Sequence, residues 1–166
     1  MELKKAERLR AAACYSSSAF GLAALVFSFL PLLKMSTAGG EWIYFQSFQL
    51  FFGGRESFVM SDGVYFFDFG INIYLLVALQ LFLLGSLSTI LGRRSPRNLL
   101  FGFFLFLGAF VMGILTPLWI KMVNPGITSS GLHLGYGYFL MLFFAFLALG
   151  DAMLSFLISR HRKIKK

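Results

Sequence analysis

The sequence predicts an all-α membrane protein: a left-handed four-helix transmembrane bundle with a small extracytoplasmic β-hairpin or sheet cap between helices 1 and 2. Three observations lead there. Residues 11–33, 71–91, 99–120 and 134–158 form four apolar stretches that approach or exceed the roughly 20 residues needed to cross a bilayer as a helix. Hydrophobic residues make up 58% of the 166-residue chain and charged residues 13%, too little polar surface to cover a water-soluble domain. Finally, twelve of the fifteen Lys and Arg residues lie in the N-terminal tail, the turn between spans two and three, and the C-terminal tail.

That distribution sets the expected orientation. Lys4, Lys5, Arg8 and Arg10 precede the first span, Arg93, Arg94 and Arg97 join the second to the third, and Arg160, Arg162, Lys163, Lys165 and Lys166 follow the fourth. Placing all three groups in the cytoplasm satisfies the positive-inside rule, with Lys34, Arg55 and Lys121 outside. The expected location is therefore the plasma (cell) membrane, multi-pass, with both termini cytoplasmic. The net charge of +8 is accounted for by this asymmetry, and nucleic acid is not an expected partner.

The first span ends near Pro31. Ser36-Thr37-Ala38 offers a small-x-small cleavage site, but the preceding apolar run exceeds the ~7–15 residues of a signal peptide's core, so the span is expected to be retained. Cys14 is the single cysteine, which rules out an intramolecular disulfide and the paired-cysteine chemistry of membrane disulfide-generating enzymes. A packing role for Cys14 is preferred over palmitoylation.

Residues 35–70 form a long outer loop with eleven aromatic side chains, too many for a free solvated segment. Ser47 to Phe52 reads as an alternating strand ended by Gly53-Gly54. Asp62-Gly63 between Phe58-Val59-Met60 and Val64-Tyr65-Phe66-Phe67 is a two-residue hairpin signal. A two- or three-stranded sheet over the mouth of the bundle is expected, with Trp42, Phe48, Phe52 and Tyr65 as its candidate contact surface.

Spans two and three are joined by Gly92 to Asn98 and must be antiparallel neighbours. Spans three and four are joined by a breaker-rich turn from Asn124-Pro125-Gly126 to Gly131. Gly70 and Gly85 match Gly135 and Gly150 at one constant offset, and Pro31-Leu32-Leu33-Lys34-Met35 echoes Pro117-Leu118-Trp119-Ile120-Lys121-Met122. Both suggest a duplicated two-helix hairpin.

Asp151 is the one ionisable residue well inside a span, and with Gln80 and Ser86 it forms the candidate intramembrane polar site. A charge there costs a few kcal/mol on insertion scales unless it is paired. The preferred reading is structural: pairing with Arg93, Arg94 or Arg97, or hydrogen bonds to Ser86 and Ser88. Gln80 near the middle of span two suits an interhelical hydrogen bond. Ala13, Ser17 and Gly21, Ala109 and Gly113, and Ala148 and Ala152 give small-xxx-small faces for close helix packing. Lys34 and Lys121 are expected to snorkel to headgroups, or to pair with Glu41 or Asp68. His133 and His161 lie on opposite sides of the membrane, so no metal site is expected. No catalytic triad, paired catalytic carboxylates, phosphate loop or dinucleotide fingerprint is present, so neither catalytic residues nor a cofactor are expected.

Four spans, internal termini, a long β-rich first outer loop and the Gly135-Tyr136-Gly137-Tyr138-Phe139-Leu140 entry to the fourth span resemble the claudin and peripheral-myelin-protein architecture. The paired loop cysteines and the Trp-Gly-Leu-Trp signature of that group are absent. The proline ending span one, followed by Ser47-Phe48-Gln49-Leu50-Phe51-Phe52-Gly53, is similar to a class of uncharacterised bacterial four-span membrane proteins, a resemblance that implies topology and no particular activity. The expected function is that of a non-catalytic integral membrane accessory protein. Besides the lipid bilayer, its partner would be another membrane protein or a second copy of itself. The alternatives are a small oligomeric, ion-coupled transporter using Asp151, and a lipid- or peptide-binding sensor built on the outer loop.

Overall fold

The computed structural model describes residues 2–93, 95–124 and 132–164, and proline, glycine and the spacing of small residues divide these described residues into six helices and five strands. Four helices are long and apolar enough to cross a membrane: α1 (Glu2–Phe27), α3 (Ile73–Gly92), α4 (Pro96–Ile114) and α6 (Tyr136–Ile164). They form a ring in which α1 packs on α6 and α3, and α4 packs on α3 and α6. One end of the bundle carries the sheets and is called here the cap end. The other, with Arg10, Arg93 and Arg160, is the basic end.

The helix boundaries differ from the sequence expectation in two places, both at proline. α1 stops at Phe27 rather than continuing to residue 33. Its last carbonyls are closed by tightening turns, Phe29 N–H to Val26 (3.1 Å) and Leu30 N–H to Phe27 (3.1 Å), and Pro31 ends the helix. The third span breaks at Leu115. Pro117 then opens a separate short helix, α5 (Thr116–Val123), as proline at a first turn does.

After Pro31 the chain becomes strand β1 (Leu33–Ser36), which lies between β2 (Trp42–Phe45) and β5 (Leu132–Leu134) in an antiparallel sheet. Strands β3 (Gly54–Met60) and β4 (Gly63–Phe69) form a separate hairpin. The hairpin was legible, with a one-residue shift: Met60 pairs with Gly63, so Ser61-Asp62 makes the turn and Gly63 takes φ +151°. The cap thus consists of two sheets, and one of them takes a strand from beyond α5. The expected cap lay wholly between helices 1 and 2. Of the expected turn that supplies β5, residues 125–131 lie outside the described residues.

Ser47–Phe52 is a helix, α2, not the expected strand. Its buried residues, Ser47, Leu50 and Phe51, fall at i, i+3 and i+4, which is helical spacing. The alternation of phenylalanines disguised that face. Ser47 Oγ donates to the Leu30 carbonyl and ties α2 to the end of α1.

Gly135 and Gly137 are explained by close backbone approach. A Cβ at Gly135 would lie 2.9 Å from the Pro31 carbonyl carbon, and one at Gly137 would lie 2.7 Å from the Leu30 oxygen. Both glycines donate across this contact, Gly135 N–H to Leu32 O (2.8 Å) and Gly137 N–H to Pro31 O (3.1 Å). Gly70 sits similarly beside the end of α5, its N–H donating to Asn124 Oδ1 at 2.7 Å. In both halves, then, the glycine opening one helix meets the segment after the other hairpin's proline. The correspondence stops at Gly85 and Gly150. A Cβ at Gly85 would lie 3.0 Å from the Phe106 ring, whereas one at Gly150 meets nothing within 4 Å.

Candidate functional site

The expected polar site does not assemble. Asp151 lies part-buried in the seam between α1 and α6, where its carboxylate accepts a hydrogen bond from Ser16 Oγ. The next residue of α1, Ser17, donates through its Oγ at 2.8 Å to the Ala148 carbonyl, about one turn from Asp151 on α6. Asp151 therefore takes its partner from α1, not from Ser86 or Ser88. Ser86 is fully buried and donates to the Phe82 carbonyl on its own helix (2.8 Å), and Ser88 donates to the Asn98 carbonyl (2.8 Å). Arg93 donates to the Tyr15 hydroxyl at 2.7 Å, and Arg10 to the Arg93 carbonyl. Arg94 lies outside the described residues.

The signal for Asp151's partner was the Ser16-Ser17-Ser18 run in span one. The seam continues toward the basic end as buried Ser155, which meets the Cys14 thiol, and buried Ser159, whose hydroxyl has no partner among the described residues. A cavity of about 550 Å³ at that end is lined by Glu7, Arg8, Arg10, Ala11 and Arg93.

Gln80 is not an internal strut. It is exposed on the outside of α3 and has no hydrogen-bond partner among the described residues. The interhelical hydrogen bonds expected of it within the bundle are made by serines and by two asparagines. Fully buried Asn72 caps α3, its Oδ1 accepting from Leu75 N–H (3.2 Å) while its Nδ2 donates to the Trp119 carbonyl (3.1 Å). Asn124 closes the other side through Gly70. An asparagine just before an apolar run is a helix-start signal, and Asn72 carried it.

The small-residue faces are used inside the bundle. Ala109, Ala148 and Ala152 are fully buried, and a Cβ at Gly21 would come within 2.5 Å of the Phe106 ring.

The cap divides the four expected contact residues. Trp42 is 41% exposed, its ring edge-on to His133 at 5.2 Å and under the Lys34 ammonium at 4.2 Å. Lys34 thus rests on an aromatic face; of the two carboxylates expected to pair with it, Asp68 is paired with Arg55 at 3.2 Å and Glu41 accepts from the Ser61 N–H at 3.1 Å. Phe48 and Phe52 are exposed neighbours on α2, with centroids 4.7 Å apart. Tyr65 faces inward, and its hydroxyl donates to Asp62 at 2.9 Å. Asp62 also accepts from Gly39 N–H at 2.8 Å, and these bonds hold its carboxyl below the usual aspartate range.

The hairpin is two-faced. Phe58, Phe67 and Phe69 pack edge-on around fully buried Phe45. The opposite face shows Val59 (80% exposed), Val64 (52%) and Phe66 (79%), residues that the sequence reading did not select. Period-two alternation held this signal: once Phe58 and Phe67 face inward, Val59 and Phe66 must face outward.

These elements define the class, a multi-pass α-helical membrane protein with a β-containing cap at one end. No family model matches the sequence, and no curated protein is similar enough to count as a relative.

Proposed function

We propose that this is a non-catalytic interaction protein of the cell membrane, with the cap outside, both termini cytoplasmic, and the cap presenting a contact surface to a membrane-protein partner. The carrying observation is the outward face of the β3–β4 hairpin, where Val59, Val64 and Phe66 stand exposed beyond the bundle although the opposite face is already satisfied by Phe45. Apolar side chains gathered on one face of a structured element mark contact sites more than scattered ones do. The charge asymmetry of the tails and the Arg93–Arg97 turn supports the orientation. The claudin-like topology enters as architecture alone.

The test is purification in native nanodiscs of the wild type and a Val59→Thr/Phe66→Ser variant, with bound proteins quantified by mass spectrometry. A stoichiometric partner present with wild type and depleted at least tenfold with the variant supports the reading. Equal recovery from both would overturn it.

A second reading, an ion-coupled transporter, is favoured by one feature, the seam of Asp151, Ser16 and the buried Ser155 and Ser159 hydroxyls. Against it, Gln80 faces away from this seam. Ion flux in proteoliposomes, compared between wild type and Asp151→Asn, separates the two. Flux that the variant abolishes supports transport, and no flux with either protein supports a structural carboxylate held by Ser16.

A further inference from the structure

Gln80 is the odd side chain on the lipid-facing surface. Apart from Tyr74, whose ring stacks on Trp119 near the cap end, the other polar groups along α3 turn inward: Asn72 at its start, Ser86, Ser88 and Thr89 are buried and hydrogen-bonded. On α1 and α6, Ser17, Ser18, Ser155 and Ser159 are buried likewise. Among the described residues, Gln80 is the one amide exposed on the outer surface of a span. It lies seven residues from the start of α3, about 10 Å below the cap end at ~1.5 Å per residue. A glutamine side chain is too short to reach the headgroups from there, and hydrocarbon offers its amide no partner.

Its neighbours form a seam. Ile73, Val77, Gln80, Leu84, Leu87 and Leu91 follow alternating steps of four and three, and all are exposed. That is the heptad spacing of a left-handed helix pair, with one polar residue near the middle of an apolar stripe, a device that fixes register and partner number.

We propose that two copies of this chain associate through α3, with Gln80 of each pairing with Gln80 of the other across a twofold axis normal to the membrane. The chemistry selects a second copy. An amide carries both donor and acceptor, so it is complementary to itself. Copies inserted by the same charge rule run parallel and bring Gln80 to the same depth, as an isologous interface requires. The small-residue faces that would compete for a partner helix are already used within the bundle. The α3 contact is independent of the hairpin surface, because α3 and the outward face of β3–β4 share no residue.

The experiment is dilution of fluorescently labelled protein in phosphatidylcholine vesicles, with self-association read by energy transfer. Wild type is expected to dimerise. Gln80→Leu should lower the association constant about three- to twenty-fold, the span of measured interhelical hydrogen bonds, and Gln80→Asn should restore part of it. At dilutions where wild type is monomeric, thermal unfolding of each variant should match wild type, since Gln80 makes no hydrogen bond in its own bundle among the described residues. Disulfide trapping gives the geometry. Leu84→Cys should cross-link readily, Phe104→Cys at comparable exposure on α4 should not, and buried Cys14 serves as the internal blank. A wild type that stays monomeric at all densities, equal association of wild type and Gln80→Leu, or equal trapping at Phe104 would each overturn the proposal.

Discussion

Where α1 crosses α3 and α6, and where α3 crosses α4, the contact residues are Gly21, Ala148, Ala152, Gly85 and Gly102; where β2 meets the β3–β4 hairpin, they are Phe45, Phe58, Phe67 and Phe69. The solvent explains the difference. Inside a bilayer an apolar side chain gains little by leaving lipid for another helix, so the helices are held by close packing at small residues, Gly21 and Gly85 against the Phe106 ring, and by internal hydrogen bonds. In the cap one face meets water, and burying phenylalanine is itself stabilising, by about 2–3 kcal/mol for a full side chain. The bundle thus fits its buried rings, Phe82 and Phe106, against glycines and small residues, whereas the cap packs ring on ring.

The largest test of that contrast is Phe45→Ala. Phe45 is fully buried with three rings around it, so truncation should cost the cap about 3–5 kcal/mol. The expected result is rapid hydrogen exchange across β2, β3 and β4 with α1, α3, α4 and α6 still protected. Simultaneous loss of helix protection would mean that bundle and cap are one cooperative unit.

The converse test enlarges a residue in the bundle. Gly21→Leu drives a side chain into Phe106 and should cost roughly 1–3 kcal/mol, read as a lower Tm in nanodiscs with the cap still folded. Gly150→Ala is the control. Nothing lies within 4 Å of the added methyl, so the change should stabilise α6 by about 0.5–1 kcal/mol through helix propensity. If both variants destabilise equally, the close fit of Phe106 against Gly21 is not what holds the helices together.

A smaller effect belongs to the hydroxyls. Ser17→Ala removes the 2.8 Å bond to the Ala148 carbonyl and should lower stability by about 0.6–2 kcal/mol. Its sharper readout is the amide exchange of α6 around Ala148, which should rise while that of α4 does not.

The same contrast governs what could be read in the sequence. Four apolar runs needed no tertiary knowledge, because the length of a span is set by the bilayer. The hairpin was equally plain from Asp62-Gly63 between alternating residues. The ends of spans one and three were misread because Pro31 and Pro117 lie inside continuous apolar runs, and hydropathy cannot distinguish a helix from the strand or short helix after it. Ser47–Phe52 was misread because Phe48 and Phe52 are exposed, so apolarity no longer marked the buried face. Strand β5 was invisible because its pairing with β1 joins residues about a hundred positions apart. Gln80 and Asp151 were found by type, but only the fold could show which faces another helix of the same chain and which faces outward.

The smallest predicted effect lies under the hairpin, at Glu56. Its Oε2 is buried without a partner among the described residues, and burial pushes its carboxyl above the usual glutamate range despite a bond from the Gln46 backbone. A carboxyl whose value is raised on folding binds its proton more tightly in the folded cap than in the unfolded chain. The cap should therefore gain stability as pH falls from neutral through the raised value toward the ordinary one of about 4.3. Asp62 works in the opposite sense. Its lowered value contributes stability that is present above the ordinary ~3.9 and lost as pH falls further, through the folded value. Exchange of the β3 and β4 amides, corrected for intrinsic rate, should then be slowest in mild acid and rise on either side. Glu56→Gln removes the charge while keeping an acceptor for the Gln46 N–H, so it should slow exchange at neutral pH and abolish the gain on acidification. The loss below about pH 4, which belongs to Asp62, should remain. If Glu56→Gln leaves the neutral side of that profile unchanged, Glu56 is already hydrated, and the hairpin stands further off the bundle than its packing on Phe45 implies.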